Sequence, residues 1–263
     1  MEILTTALRQ LRAQPFFSAL VILLLALGIG ANTAIFGVVH AVLLKPLLYP
    51  EPGSLVMARK LMAPGSTVSI PGNGDFMPDN EFLGWMKSVP KSFRALAAYR
   101  STTSSLQLGD GAVRVPSAAV TGGFFPMLGV SAWRGRLFDA NDMKPGAALT
   151  TVLSYSAWQS RYNGDDNAVG QIAKIDDVAH TIIGVLPSAF EFVDPVQFWR
   201  PLQLSPNAPG QLRIQMVRVF GRMLPGTNLA VAQRELQGLS ESFWDNLTAS
   251  FNGPGPQGGG QPG

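Results

Sequence analysis

The sequence predicts an α+β extracytoplasmic domain preceded by one long N-terminal transmembrane and stalk helix. Three observations predict it. Ala13 to Leu44 runs for 32 residues without Asp, Glu, Lys or Arg, more than the ~20 apolar residues that cross a bilayer. From about residue 50 onward, short strand-like runs alternate with helix-spaced apolar positions and are punctuated by Gly and Pro. Charged residues make up 14% and apolar residues 46% of the chain, against about 25% charged in an ordinary globular protein. That balance argues against disorder over most of the length.

Composition also excludes several functions. The 263 residues include no cysteine, which removes disulfides, Cys-ligated zinc, iron–sulfur centres and a thiol nucleophile. A net charge of +3, dispersed along the chain, does not suit nucleic acid. No phosphate-binding loop is present, so the chain is not itself an ATPase. Gly28-x-Gly30 lies inside the apolar helix and lacks the third glycine of a dinucleotide loop. Ser88-x-x-Lys91 matches an acyl-transfer motif in letters only, with Pro90 inside it. Asp139, Asp142, Asp165 and Asp166 raise the question of calcium. Asp165-Asp166 lacks the alternating spacing of a ligand loop, however, and reads as a solvated turn. His180, alone in a strand pattern, reads as structural. No enzyme activity, cofactor or metal is expected.

Taken in order, Ile3, Leu4, Ala7, Leu8 and Leu11 recur at helical spacing. Residues 1–12 read equally as an amphipathic helix on the inner membrane surface and as the first turns of the membrane helix. Residues 13–46 form the transmembrane helix and stalk. Arg9 and Arg12 before it place the N-terminus in the cytoplasm and the following domain outside; Lys45 closes the far side. A cleaved signal peptide is disfavoured, because the apolar run continues past Ile29-Gly30-Ala31 to Leu44, while signal cores are about 7–15 residues. Gly28, Gly30, Ala31, Ala34 and Gly37 are small enough for close helix packing in lipid. Gly30, Ala34 and Gly37 share a face, suited to a second copy of the chain or another membrane helix.

The domain is expected over 47–250. Leu55 to Ala58 reads as the first strand after the Pro46/Pro50/Pro52 break, and 63–78 as a loop. Asp79 to Met86 reads as a helix capped by Asp79 or Asn80. Phe93 to Tyr99 leads into a strand; Ser104 to Leu108 and Ala112 to Val120 form a hairpin around Gly109-Asp110-Gly111. Val115 to Trp133 is uncharged, but its Pro and Gly residues make it strand, loop and short helix rather than a second span. Thr151 to Ser154 is a strand, and Ser154 caps the helix holding Ala157, Trp158 and Tyr162. Ile172 to Ile175 and Ala179 to Val185 form a hairpin around Asp176-Asp177. Gln215 to Arg222 is a late strand. Leu229, Ala232, Leu236, Leu239 and Phe243 mark a helix capped by Thr227 or Asn228. The aromatic residues read as core, and some could line a groove. Residues 251–263 form a disordered tail, wholly Gly, Pro and Gln from Gly253.

Several blocks together carry a resemblance. Leu27-Gly28-Ile29-Gly30-Ala31-Asn32-Thr33-Ala34-Ile35-Phe36, Leu43-Leu44-Lys45-Pro46-Leu47 and Tyr49-Pro50-Glu51-Pro52 resemble the N-terminal region of MacB/FtsX-type ABC transporter permeases, in particular the acidobacterial-type orphan permease group. Gly135-Arg136-Leu137-Phe138, Val152-Leu153-Ser154, Ile182-Ile183-Gly184-Val185-Leu186-Pro187, Phe198-Trp199-Arg200-Pro201-Leu202 and Arg222-Met223-Leu224-Pro225-Gly226 resemble the MacB-like periplasmic core domain. Each block alone is unspecific; their order and spacing are specific, over roughly residues 1–245. The resemblance implies a bacterial inner-membrane permease subunit whose large periplasmic domain has two subdomains, with Gly135 to about Leu202 forming much of the smaller. It implies that other permease chains and a cytoplasmic ATPase are partners, besides the bilayer. The stalk would act as a lever, because Phe36 to Leu44 runs unbroken to Pro46. Family permeases carry three further membrane helices after this domain, so the expectation is a chain truncated after it, which needs another chain for transport. The competing expectation is a stand-alone tethered binding or scaffold module.

Overall fold

A computed structural model describes residues 15–39, 49–59, 75–109, 111–190, 192, 194–204 and 215–252. Expectations for Arg9, Arg12, Lys45, most of the 63–78 loop, Asp110 and the tail from Gly253 lie outside these residues. The chain forms two units, Met1–Leu47 and Leu48–Gly263.

The first unit contributes α1, Pro15–Val39. Proline is tolerated at a helix's first turn, where its missing N–H has no partner to lose. Its 23-residue stretch Pro15–Gly37 is long and apolar enough to cross a membrane, and none of it is buried. At 1.5 Å per residue that stretch reaches about 35 Å, against about 30 Å of hydrocarbon. The Thr33 hydroxyl, one of the few polar groups, donates to the Ile29 carbonyl at 2.8 Å, satisfying itself within the helix.

The second unit is mixed α/β. A 3₁₀ turn, Pro52–Ser54, leads to β1 (Leu55–Ala58), then β2 (Met77–Pro78), α2 (Asp79–Lys87), β3 (Phe93–Leu108), β4 (Gly111–Val120), α3 (Phe124–Leu128), β5 (Arg134–Gly135) and β6 (Thr150–Leu153). There follow α4 (Tyr155–Tyr162), β7 (Ile172–Ile175), β8 (Val178–Val185), β9 (Phe198–Pro201), β10 (Met216–Met223) and α5 (Leu229–Asn252). The main sheet runs β1-β10-β3-β4-β9-β6-β8-β5, with β2 on β10 and β7 on both β3 and β8. Following these pairings, β3-β4-β9-β6-β8-β7 returns to β3, a closed circuit of six strands. Leu106, Ile175, Ile182, Phe198 and Trp158 lie in one buried cluster with residues from this circuit.

The circuit closes at one backbone pair, Leu106 opposite Ile175. The adjacent Asp176 secures it. Its N–H donates to the Ser105 carbonyl at 2.7 Å, and its Oδ1 accepts the Ser105 N–H at 2.8 Å. Arg200 reaches Asp176 Oδ2 at 3.1 Å and the Ser104 hydroxyl at 2.9 Å. Asp176-Asp177 is the hairpin turn expected, both with positive φ, but Asp176 also ties β7 to β3 and β9. His180, buried within this region, holds the Val178 carbonyl through Nδ1 at 2.9 Å. Gly135 and Gly184 cross face to face. A Cβ on either would sit 2.2 Å from a backbone oxygen of the other strand, so no larger residue fits.

Some local expectations change. Phe93 to Leu108 is one 16-residue strand, not a lead-in and a separate hairpin arm. Its polar stretch Arg100 to Thr103 carries no apolar alternation, yet the backbone stays paired to β4 throughout. Pro78, not Asp79 or Asn80, sits at the N-cap of α2, with no side-chain cap. The β2–β10 pairing holds Met77–Pro78 extended up to the helix. Asp79, inside the first turn, instead accepts the Gln215 N–H at 3.1 Å. Ser154 does cap α4 through the Ala157 N–H at 3.1 Å. Asn228 takes the corresponding place before α5, accepting the Ala230 N–H at 2.8 Å.

Asp142 is buried. Arg136 grips both its oxygens at 2.6 and 3.0 Å, and the Asp139 N–H adds a bond at 2.8 Å. Burial pushes the Asp142 carboxyl up, but Arg136, the Asp139 amide and Thr150 outweigh it and hold the group below the ordinary carboxylate value. Burial likewise opposes ionisation of Asp176, and the Ser105 amide, the Ser104 hydroxyl and Arg200 outweigh it. A depressed folded-state value stabilises fully above the unfolded pKa, about 3.9, and that contribution is lost as pH falls through the folded value. Asp142→Asn should cost about 1–3 kcal/mol at pH 7. Urea unfolding of the full chain in detergent, followed by tryptophan fluorescence, should show a smaller cost at pH 3; an equal cost at both pH values contradicts the charge argument.

Candidate functional site

Among the described residues, no group of three or more His, Cys, Asp or Glu could hold a metal ion. What the domain does build is a tightly held junction where the chain arrives from α1, and an aromatic centre behind it.

The junction is organised by Arg222. Strand β10 places Arg218, Phe220 and Arg222 on one face by its two-residue period, and Leu55 of β1 lies opposite Arg222. The side chain is buried. Its Nε donates to the Met127 carbonyl at 2.7 Å. Its Nη1 donates to the Pro50 carbonyl at 2.7 Å, the Glu51 carbonyl at 3.3 Å and the Ser54 hydroxyl at 2.8 Å. Nη2 is buried without a hydrogen-bond partner. No carboxylate is among these partners, so the charge rests on backbone carbonyls and one hydroxyl. An arrangement of this kind is costly to build and costly to break from one side. The backbone bends to meet it: Glu51 has φ 47°, and the Ser54 N–H closes the turn on the Glu51 carbonyl at 2.9 Å. Pro50 lies so close to Gly129 (φ +70°) that a Cβ there would sit 2.7 Å from the proline ring. Arg222 therefore ties residues 50–54 to β10 and to α3.

Beside the junction lies a cluster of rings. Tyr99 meets Phe192 edge-on at 4.9 Å, Phe192 meets Trp199 at 5.3 Å, and Phe125 meets Trp199 at 5.4 Å. Such edge-to-face contacts suit the ring quadrupoles. Tyr49 reaches Phe190 at 6.2 Å. Asp194 anchors the segment that carries Phe190 and Phe192. It accepts from the Tyr99 hydroxyl and from Arg218, both at 3.3 Å, and from the Ser101 hydroxyl. Burial raises the Tyr99 phenol above its ordinary value, which keeps it a donor. A cleft of about 330 Å³ opens between Ser154–Ser156 and residues 188–199.

Among the described residues nothing covers the small residues of α1 expected to pack in lipid. A Cβ on Gly28, Gly30 or Gly37 would meet nothing within 4 Å, and Ala31 and Ala34 are exposed. Arg222 was quoted only within a resemblance block. Its sequence signal was weak: β10 carries two basic residues, Arg218 and Arg222, each two positions from Phe220.

The MacB-like periplasmic core domain family matches residues 18–239. The periplasmic region of MacB from Actinobacillus actinomycetemcomitans aligns with a TM-score of 0.49 and 16% identity, over 68% of this chain and 83% of that one. The extracellular domain of the noncanonic ABC-type transporter YknZ from Gram-positive bacteria aligns with a TM-score of 0.51 and 14% identity, over 66% and 87%. At such identity the likeness to the YknZ domain concerns the fold alone. Comparison with curated proteins finds no match.

Arg222→Met should free residues 50–58 locally. Hydrogen exchange of the full chain in nanodiscs should show the Ser54 and β1 amides exchanging about 10–100-fold faster, the equivalent of one or two lost charged hydrogen bonds. The β3–β4 amides should keep their rates. Uniform acceleration across the domain, or none, contradicts a local clamp.

Proposed function

The chain belongs to the family of MacB-like periplasmic core domains, and from that premise we propose that it is the membrane-anchored periplasmic part of a MacB/FtsX-like export or mechanotransmission system. The single observation that carries this reading is the extent of the family match. It begins at residue 18, inside α1, and continues to 239, beyond the last strand. The apolar helix and the domain thus fall within one family unit, which supports a retained inner-membrane anchor rather than a leader. In this reading the N-terminus with Arg9 and Arg12 lies in the cytoplasm and Lys45 on the outer side.

The domain does no covalent chemistry in this proposal. ATP is hydrolysed by a cytoplasmic partner chain, and other permease helices pack on the Gly28, Gly30, Ala31, Ala34 and Gly37 surface, as does a second copy of the chain if it dimerises. Motion of α1 is delivered to the domain at residues 50–54. Arg222 passes it to β10 and α3, because the clamp makes that segment part of the sheet.

Affinity capture of the full-length protein from its native host in mild detergent tests the proposal. A multi-helix permease chain and a phosphate-loop ATPase should co-purify. Recovery of abundant, folded protein with neither contradicts it and favours a stand-alone tethered module.

A further inference from the structure

The transport reading leaves unused the surface at one end of the domain's sheet, the end at which the chain enters it. Three segments meet there through their backbones. Leu55 of β1 lies opposite Arg222 of β10, and Met223 lies opposite Phe93 of β3. The Leu224 N–H donates to the Ser92 carbonyl at 2.9 Å. The entry segment 50–54, the α2–β3 turn and the β10–α5 turn are therefore neighbours. The α2–β3 turn and its flanks carry Lys87, Lys91 and Arg94, all exposed. None of the three takes part in an ion pair among the described residues. Exposed apolar side chains stand among them: Val89 is 46%, Leu224 41% and Leu229 58% exposed. Two acidic residues lie at the same end. Glu235 is turned onto the Ser92 N–H at 2.9 Å, and Glu51 is exposed in the entry turn. This end thus presents three cations and single apolar side chains against one exposed carboxylate.

We propose that this end of the domain lies against a bilayer surface that carries anionic lipids. Lys87, Lys91 and Arg94 meet phosphate oxygens of the headgroups, and Val89, Leu224 and Leu229 enter the headgroup boundary. Lys and Arg suit such a surface, because their stems cover apolar area while the charged ends reach outward. Each basic side chain close to an anionic surface strengthens the attraction roughly fivefold, within a Debye length of about 8 Å at physiological salt. An acidic protein would satisfy the same charges. The bilayer is favoured because the chain reaches this end straight from a helix apolar enough to cross a membrane, with ten positions from Val39 to Tyr49. The inference rests on α1 lying in a bilayer and on no transport partner.

Because the chain has no cysteine, Val89→Cys can carry a single fluorophore. Val178→Cys serves as reference. It is 43% exposed and lies opposite Ile175, which pairs with the far end of β3 at Leu106. The full-length protein is placed in nanodiscs of phosphatidylcholine with a rising share of phosphatidylglycerol and a constant trace of lipid bearing a nitroxide quencher on its headgroup. The fluorophore at 89 should be quenched as phosphatidylglycerol rises, and the one at 178 should not. Lys87→Gln, Lys91→Gln and Arg94→Gln together should raise the phosphatidylglycerol fraction needed for half-maximal quenching severalfold. Salt at 1 M, where the Debye length is about 3 Å, should weaken quenching in the same way. Three results would each overturn the proposal: position 89 unquenched in protein held in the discs, equal quenching in pure phosphatidylcholine, or quenching indifferent to the triple substitution. The first is also the result expected if the patch serves an acidic protein. Protein that does not enter the discs overturns the membrane anchor as well, a result distinct from the other three.

Discussion

Among the described residues nothing covers the long apolar helix α1, and such a surface suits lipid. In α1, Phe16 is 87%, Leu27 70% and Ile29 66% exposed, and each such side chain gains about 1.5–3 kcal/mol on leaving water. The helix satisfies its own backbone, so the bilayer accepts it. Within the second unit, the segment that precedes β1 is held to the sheet. The buried guanidinium of Arg222 does this with four hydrogen bonds, to Met127, Pro50, Glu51 and Ser54.

The domain behind this attachment is arranged around β3. Its first half pairs with β10 from Phe93 to Tyr99, and its far end meets β7 at Leu106. One strand thus belongs both to the open sheet that holds the junction and to the closed circuit. The aromatic centre lies where these regions meet. Tyr49 and Leu55 from the junction, Phe124 and Phe125 from α3, and Phe190, Phe192 and Trp199 from the cleft wall belong to the same core cluster or pack against it. Phe190 touches both Tyr49 at 6.2 Å and Trp199 at 5.8 Å. The junction and the cleft are therefore neighbours through a single ring.

Much of this was legible in the residues. The apolar helix, the β3–β4 and β7–β8 hairpins, the Ser154 cap and the late helix all follow from local pattern. Short strands were not. β2 and β5 have two residues each, too few for periodicity, and exist because a partner strand holds them. The late helix continues beyond Phe243 to Asn252, where Phe243 packs near Gly84 and Trp244 Nε1 donates to Glu81 at 3.0 Å. Arg222 and Asp176 resembled ordinary strand and turn residues, because their partners lie 95–172 and 24–71 positions away. Such roles depend on tertiary pairing that sequence spacing does not carry.

The central claim is a domain held outside the cytoplasm by one membrane helix. The absence of cysteine makes a clean measurement available. A single cysteine is placed at Ser188, exposed on the domain, and intact cells are treated with a membrane-impermeant maleimide under conditions that open only the outer membrane. The account predicts labelling before the inner membrane is lysed, to the same extent as after lysis. Labelling only after lysis would put the domain in the cytoplasm and contradict the account.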